Sequence, residues 1–358
     1  MEIKLKEFDV KRVEILSVDG KIDSKLMPKL SNDDIKKMYE GMILTRVFDD
    51  KCVKLQRQGR CGTYASSLGQ EASVIGSAFA TQKDDWIVPN FRENGAFLLK
   101  GYPIDMLIQY WKGDERGSRC PVNLNILPVA IPVGTQLPHA AGLGYGIKFK
   151  KENKIVLTYV SDGGTSTGDF HEAMNLAGVF KLPVIFIIQN NQYAISMPRK
   201  KQTASLTLSQ KAISYGFEGI QVDGNDIFAV YKTVRDAVDK ARNGNGPTLI
   251  ECETYRIEDH TTSDDWTKYR TKEEVEEWKK KDPVLRLERY MKEKGLLDEK
   301  YKNDVLKKAE SEVEEGVKMA EAVKEADVED IIKYVFEKPT KNQIDQLNKL
   351  KELLKDET

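Results

Sequence analysis

Between residues 155 and 191 the chain changes its hydrophobic period twice. Residues 155–160 (IVLTYV) form an apolar run broken only by one threonine, as in a strand buried on both faces. Ser161-Asp162-Gly163-Gly164 reads as a turn. Residues 169–180 then set Phe170, Ala173, Met174 and Ala177 on one helical face, and Leu182-Pro183 stops that helix. Residues 184–188 (VIFII) are a second continuous apolar run, closed by Gln189-Asn190-Asn191. Strand, helix and strand in this order predict a βαβ unit.

The rest of the pattern extends this unit. Ser31-Asn32-Asp33-Asp34 supplies an N-cap and early acids for a helix over 35–59. Residues 86–88 predict a short strand, with Asn90-Phe91-Arg92 directly at its end. Residues 113–133, rich in Gly, Pro, Asn and Arg, predict a long ordered loop. A helix over 138–150 carries Ala140, Ala141, Gly142, Gly144 and Gly146, small residues that let a helix pack closely on a neighbour. Its GLGYG run follows no strand, so it does not read as a dinucleotide loop. Strands at 219–222 and 248–253 flank a helix at 227–243. The expected fold class is α/β, a parallel sheet covered by helices. Residues 1–30 read as an N-terminal arm, 31–270 as the α/β domain and 271–358 as a charged helical region.

Composition narrows the function classes. Hydrophobic residues make up 40% of the 358, enough for a proper core. Fifty-six basic and 57 acidic residues nearly cancel, which gives no support to a nucleic-acid partner. No apolar run approaches the ~20 residues of a membrane span. The first residues lack a signal-peptide core, and the four cysteines form no CxxC pair. Together these predict a cytoplasmic protein with free thiols.

Candidate chemistry collects at two strand ends. Asp162 and Asn191 lie 29 positions apart, each just past the carboxyl end of a parallel strand, where open α/β sheets bind ligands. Both offer hard oxygen atoms, which suit Mg2+ shared with phosphate rather than zinc. Gly163 and Gly164 let backbone N–H groups approach a phosphate, and the helix that opens near Gly168 directs its N-terminal dipole there. Asp-Gly and Asn-Asn are also ordinary turn chemistry. His171-Glu172 lacks the second histidine of HExxH, with Asn at 175, and His139 at a helix start reads as structural.

The segment SDGGTSTGDFHEAMNLAGVFKLPVIFIIQNNQYAIS resembles the thiamine diphosphate fingerprint, a Gly-Asp-Gly-type turn followed after about thirty residues by Asn-Asn. Ser161 stands where that family usually has Gly. RQGR (57–60), SLGQEA (67–72), NFRENGAFL (90–98), PVGTQLPHAAG (132–142), VDGNDIFAVY (222–231) and YRIEDHTTSDD (255–265) extend the resemblance to the alpha subunits of 2-oxo acid dehydrogenases. The last two segments lean towards the branched-chain type. Pyruvate or acetoin dehydrogenase alpha chains, and a non-catalytic homologue, remain alternatives.

The resemblance implies thiamine diphosphate and Mg2+ as cofactors, with Asp162, Asn191 and the Tyr193 carbonyl as metal ligands. Phe91, Arg92, Gly163, Gly164 and Gln189 fall where the family contacts the diphosphate. The family often has Tyr at the Phe91 position, and Gln189 replaces an Arg found in close relatives. Ile131 and Val133 match positions that support the aminopyrimidine and the bent cofactor. Some relatives bind potassium near the Thr135 position. His260 matches the histidine assigned to proton transfer during acyl transfer to a lipoyl group, a task that a near-neutral pKa suits. Thr261 stands where mitochondrial relatives carry a phosphorylated serine. The implied reaction is oxidative decarboxylation of a 2-oxo acid. Its implied partners are a beta subunit in an alpha2-beta2 heterotetramer and a lipoylated dihydrolipoyl acyltransferase. The beta subunit is implied because no second thiamine-binding domain fits in this chain.

Overall fold

The computed structural model describes residues 8–356. The elements run in chain order as β1 (Lys11–Val13), α1 (Asn32–Arg57), α2 (Glu71–Phe79), β2 (Trp86–Val88), α3 (Asn94–Leu99) and α4 (Ile104–Lys112). Next come α5 (Gln136–Lys150), β3 (Val156–Ser161), α6 (Gly168–Phe180) and β4 (Val184–Asn190). A small hairpin, β5 (Tyr193–Ala194) and β6 (Met197–Pro198), precedes β7 (Glu218–Asp223), α7 (Ile227–Arg242) and β8 (Thr248–Glu253). The chain then continues through α8 (Lys272–Lys279), α9 (Pro283–Glu293), α10 (Glu299–Ala322), α11 (Asp330–Lys333) and α12 (Lys341–Asp356).

Six strands form one sheet in the order β1-β7-β8-β4-β3-β2, and every pairing is parallel. The apolar runs explain the layering. In β3 and β4, Val156, Val160, Val184, Phe186 and Ile188 point into a core with α5 and α6. Leu157, Tyr159, Ile185 and Ile187 point into the opposite core, which α1, α4, α7 and α10 complete. Both faces are therefore buried, as continuous apolar strands require. Ser31 caps α1 in a reciprocal capping box with Asp34, so the expected helix start is observed.

Two regions differ from the sequence expectation. The described part of the N-terminal segment is more than an arm, because Lys11–Val13 is the edge strand and pairs with β7. Asp226 accepts hydrogen bonds from the Ile15 and Leu16 amides, both at 2.6 Å, which fixes that segment to the start of α7. Residues 71–112 hold three helices, α2, α3 and α4, that the sequence expectation left unassigned. In the 271–358 region, Val313, Val317 and Ala320 of α10 belong to the main core, and Leu287 and Met291 of α9 belong to a second one. No described helix is long and apolar enough to cross a membrane.

Candidate active site

The register Ser161↔Gln189 sets the ends of β3 and β4 side by side. Asp162 and Asn191 leave these two ends together, both buried. A cavity of about 610 Å³ opens above them. Gly163, Gly164, Gln189, Asn191 and Tyr193 line it from the sheet side, and Phe91, Arg92, Ile131, Val133 and His260 from the loops. Asp162 lies directly beneath. The eleven residues expected from the sequence therefore meet in one place. Thr135 is not among the lining residues.

Both glycines are required by close approach. A Cβ on Gly163 would stand 2.6 Å from the Ala194 Cβ, and one on Gly164 would stand 2.9 Å from the Val133 Cγ1. At the N-terminus of α6, the Thr167 hydroxyl accepts from the Phe170 amide and Thr167 lines the cavity. The first-turn amides and the helix dipole therefore face the site.

Asp162 Oδ2 accepts from Gln202 Nε2 at 2.6 Å, whereas its Oδ1 is buried with no hydrogen-bond partner. Burial lifts the Asp162 carboxyl to about 6. Asn191 Nδ2 donates to Gln70 Oε1 at 3.2 Å. Its Oδ1 accepts from the Tyr193 amide at 3.4 Å, which leaves that oxygen a second lone pair for a cation. The Asp162 carboxylate, the Asn191 side-chain oxygen and the Tyr193 carbonyl would make an all-oxygen donor set. Among the described residues no group of three or more His, Cys, Asp or Glu could hold a metal. A cation at this site thus needs further oxygens from outside the protein, and a diphosphate supplies them. The orphaned carboxylate oxygen and the glycine cradle both fit a diphosphate-bound Mg2+.

Above this floor lies positive charge. Arg92 and Arg256 are 4% and 1% exposed, and neither has an ion-pair partner among the described residues. Arg92 donates to the Ser66 carbonyl at 2.6 Å and the His260 carbonyl at 2.7 Å. Arg256 donates to the carbonyls of Tyr193 at 3.2 Å and Ile195 at 2.8 Å. Burial and the charge of Arg256 push Arg92 down to about 9. Two buried, mutually repelling guanidinium groups are costly unless an anion joins them.

His260 sits between them. Its Nδ1 lies 2.9 Å from Arg92 Nη2 and 3.4 Å from Arg256 Nη1. The near-neutral pKa expected from the sequence is not what this environment gives. Burial first, then Arg92 and Arg256, push the imidazole down to about 3. Phe91 stands edge-on to the His260 ring, with centroids 6.1 Å apart.

Sequence reasoning missed Gln70, Gln202 and Arg256. Gln70 and Arg256 lie inside segments that carry the family resemblance, SLGQEA and YRIEDHTTSDD, so that signal was present. Gln202 lies outside every such segment and had no signal.

The "Dehydrogenase E1 component" family model matches residues 39–329. A "Pyruvate dehydrogenase E1 component subunit alpha" from Staphylococcus aureus strain Mu50 is 40% identical over 342 residues, covering 95% of this chain and 92% of its own length. The protein of the same description from Staphylococcus epidermidis is 41% identical with the same coverage. The chain belongs to the dehydrogenase E1 component family, as an alpha chain of the thiamine-diphosphate-dependent 2-oxo acid dehydrogenases.

Proposed function

We propose that this chain holds the diphosphate and Mg2+ of thiamine diphosphate in the decarboxylating component of a pyruvate dehydrogenase. The sequence leaned towards a branched-chain substrate. Similarity at 40% to proteins described as pyruvate dehydrogenase alpha subunits favours the alternative that the sequence left open. The observation that carries the reading is the orphaned Asp162 Oδ1 beside the glycine cradle, in a region that also buries the guanidinium groups of Arg92 and Arg256.

In this reading Asp162, Asn191 and the Tyr193 carbonyl hold Mg2+. Arg92 neutralises the diphosphate, with Arg256 adding positive charge beside it. Gly163, Gly164 and the α6 N-terminus offer backbone N–H groups to the phosphate oxygens. Gln189, which donates to Ser73 Oγ at 3.3 Å, lines the same wall. Thiamine diphosphate supplies the nucleophilic carbon and the electron sink for decarboxylation. Ile131 and Val133, both partly exposed, give apolar support to its rings and help to exclude water. His260 Nε2 carries the proton that moves when the acyl group passes to a lipoyl group.

A beta subunit completes the site in an alpha2-beta2 assembly, and a lipoylated acyltransferase receives the acyl group. The test is turnover of pyruvate and branched-chain 2-oxo acids by the two chains expressed together, with an artificial electron acceptor. Preference for pyruvate is expected. Preference for branched-chain substrates would restore the first reading of the sequence.

A further inference from the structure

Asp162 is held by one side chain from outside its own strand–turn–helix, Gln202. This residue follows the β5–β6 hairpin, and its backbone amide donates to the Arg199 carbonyl at 3.0 Å. Its side-chain Nε2 donates to Asp162 Oδ2 at 2.6 Å and to the Met197 carbonyl at 2.9 Å. Both acceptors are oxygens that can only accept. The amide orientation is therefore determined, since exchanging its O and N would set a carbonyl oxygen against a carboxylate and another carbonyl.

That orientation leaves Gln202 Oε1 pointing away from both partners. The atom is buried and has no donor. It stands 3.7 Å from the point where a Cβ on Gly163 would lie, within the diphosphate cradle. Asp162 Oδ1, on the side chain that Gln202 holds, is likewise a buried acceptor without a partner. Two orphaned acceptors on side chains joined by a hydrogen bond fit a cation on one and a donor on the other. Mg2+ supplies both, because it gives up its hydration shell reluctantly and keeps water in its octahedron. Metal-bound water is a strong hydrogen-bond donor.

We propose that Gln202 is the outer-sphere anchor of the metal site: its Nε2 fixes Asp162 so that Oδ1 faces the ion, and its Oε1 accepts a hydrogen bond from a metal-bound water. This rests on the reading of Asp162 as a metal ligand. It adds a positioning residue that touches neither substrate nor the reacting carbon. Partners of this kind orient the ligands that touch the metal, and their loss typically weakens metal binding by about 10–100-fold.

The experiment uses the assembled enzyme, this chain with its beta subunit, saturated with thiamine diphosphate. Mn2+ replaces Mg2+, and the free ion is counted by electron paramagnetic resonance during titration. Gln202→Met keeps the length and loses both hydrogen-bonding atoms. Gln202→Asn keeps the amide but is too short to reach. Asp162→Ala is the reference. Weakening of Mn2+ binding by about 10-fold or more in either Gln202 variant is expected. Turnover should recover to within a few-fold of wild type at saturating Mg2+. A role confined to bracing the hairpin through Met197 would lower thermal stability and leave Mn2+ affinity within about 2-fold of wild type, and that result overturns the proposal. If Asp162→Ala also binds Mn2+ as wild type does, the metal-site reading itself fails, and the inference with it.

Discussion

Arg92 Nη2 donates to His260 Nδ1 at 2.9 Å. A guanidinium has no acceptor, so Nδ1 must accept and the imidazole proton resides on Nε2. With Arg256 on the same side, protonating Nδ1 would set a third positive charge between two others. His260 is therefore a neutral imidazole that offers one N–H to the cavity. Its pKa of about 3 implies that, without cofactor, its ring stays neutral down to about pH 4. A histidine side-chain NMR titration checks this, and a midpoint between pH 6 and 7 would contradict it. A bound diphosphate adds negative charge beside the arginines, so the midpoint should rise on loading.

Replacing His260 tests its part in the reaction. His260→Ala should still bind cofactor and should still decarboxylate with an artificial electron acceptor. Acyl transfer to a lipoyl domain should fall by about 10²–10⁴. Wild-type rates in both assays would leave His260 with a structural role only.

Removing the carboxylate proposed as the metal ligand is the direct test of the cradle. Asp162→Ala should abolish Mg2+-dependent binding of thiamine diphosphate, because the diphosphate charge loses its shared cation. The fold should persist, since Asp162 Oδ1 has no partner and the Gln202 amide that bonds Oδ2 keeps its bond to the Met197 carbonyl. Unchanged cofactor affinity in calorimetry would falsify the assignment.

The position of this site was legible because β3 and β4 are apolar on both faces and end together. The fingerprint residues are also close in sequence. Helix α2 was not legible for a physical reason. In α2, EASVIGSAF, eight of nine residues are buried, so no polar face marks the helical period. β1 was missed because Lys11-Arg12-Val13 is a polar three-residue edge strand. The protonation of His260 was also hidden. It depends on Arg92 and Arg256, which come from different elements and meet only when the chain folds.

Glu93 makes a pH-dependent prediction. It is buried at the cavity wall, one oxygen accepts from the Asn90 amide at 2.9 Å, and the other has no partner. Burial raises its carboxyl from 4.5 to about 7. A folded-state pKa above the unfolded value gives stability that is full below about pH 4 and lost as pH rises through about 7. Relative to wild type, Glu93→Gln should therefore be more stable at pH 8 than at pH 5, by an amount on the order of 2 kcal/mol. Melting temperatures at the two pH values, without metal or cofactor, provide the measurement. A constant difference would mean that Glu93 titrates normally.

The loop from 257 to 270 should respond to cofactor. Arg270 pins it through the carbonyls of Arg256 and Glu258, and Asp264 accepts from the His260 amide at 2.9 Å. Opposing these bonds is the repulsion between Arg92 and Arg256, the second of which holds the start of the loop. A bound diphosphate removes that repulsion. Limited proteolysis within 257–270 should therefore slow with thiamine diphosphate and Mg2+. Equal cleavage with and without them would refute the link.

Assembly separates two glycines that the sequence treated alike. The expectation was that Gly142 and Gly144 both let this helix pack closely on a neighbour. A Cβ on Gly144 would stand 2.5 Å from Val184 Cγ2, so this glycine packs α5 onto β4 within the chain. Gly142 and Gly146 have nothing within 4 Å, and Phe149 and Val179 are exposed, at 78% and 67%. The α5–α6 face that carries Gly142, Gly146, Phe149 and Val179 is therefore free to meet a partner subunit. Gly144→Leu should destabilise the chain itself, by about 1–3 kcal/mol from overpacking. Gly142→Leu should leave the melting temperature of the isolated chain nearly unchanged. With the beta subunit present, it should shift the sizing profile from about four subunits towards smaller species. If Gly142→Leu assembles as wild type does, this face is not the interface, and the contacts between subunits lie elsewhere on the chain.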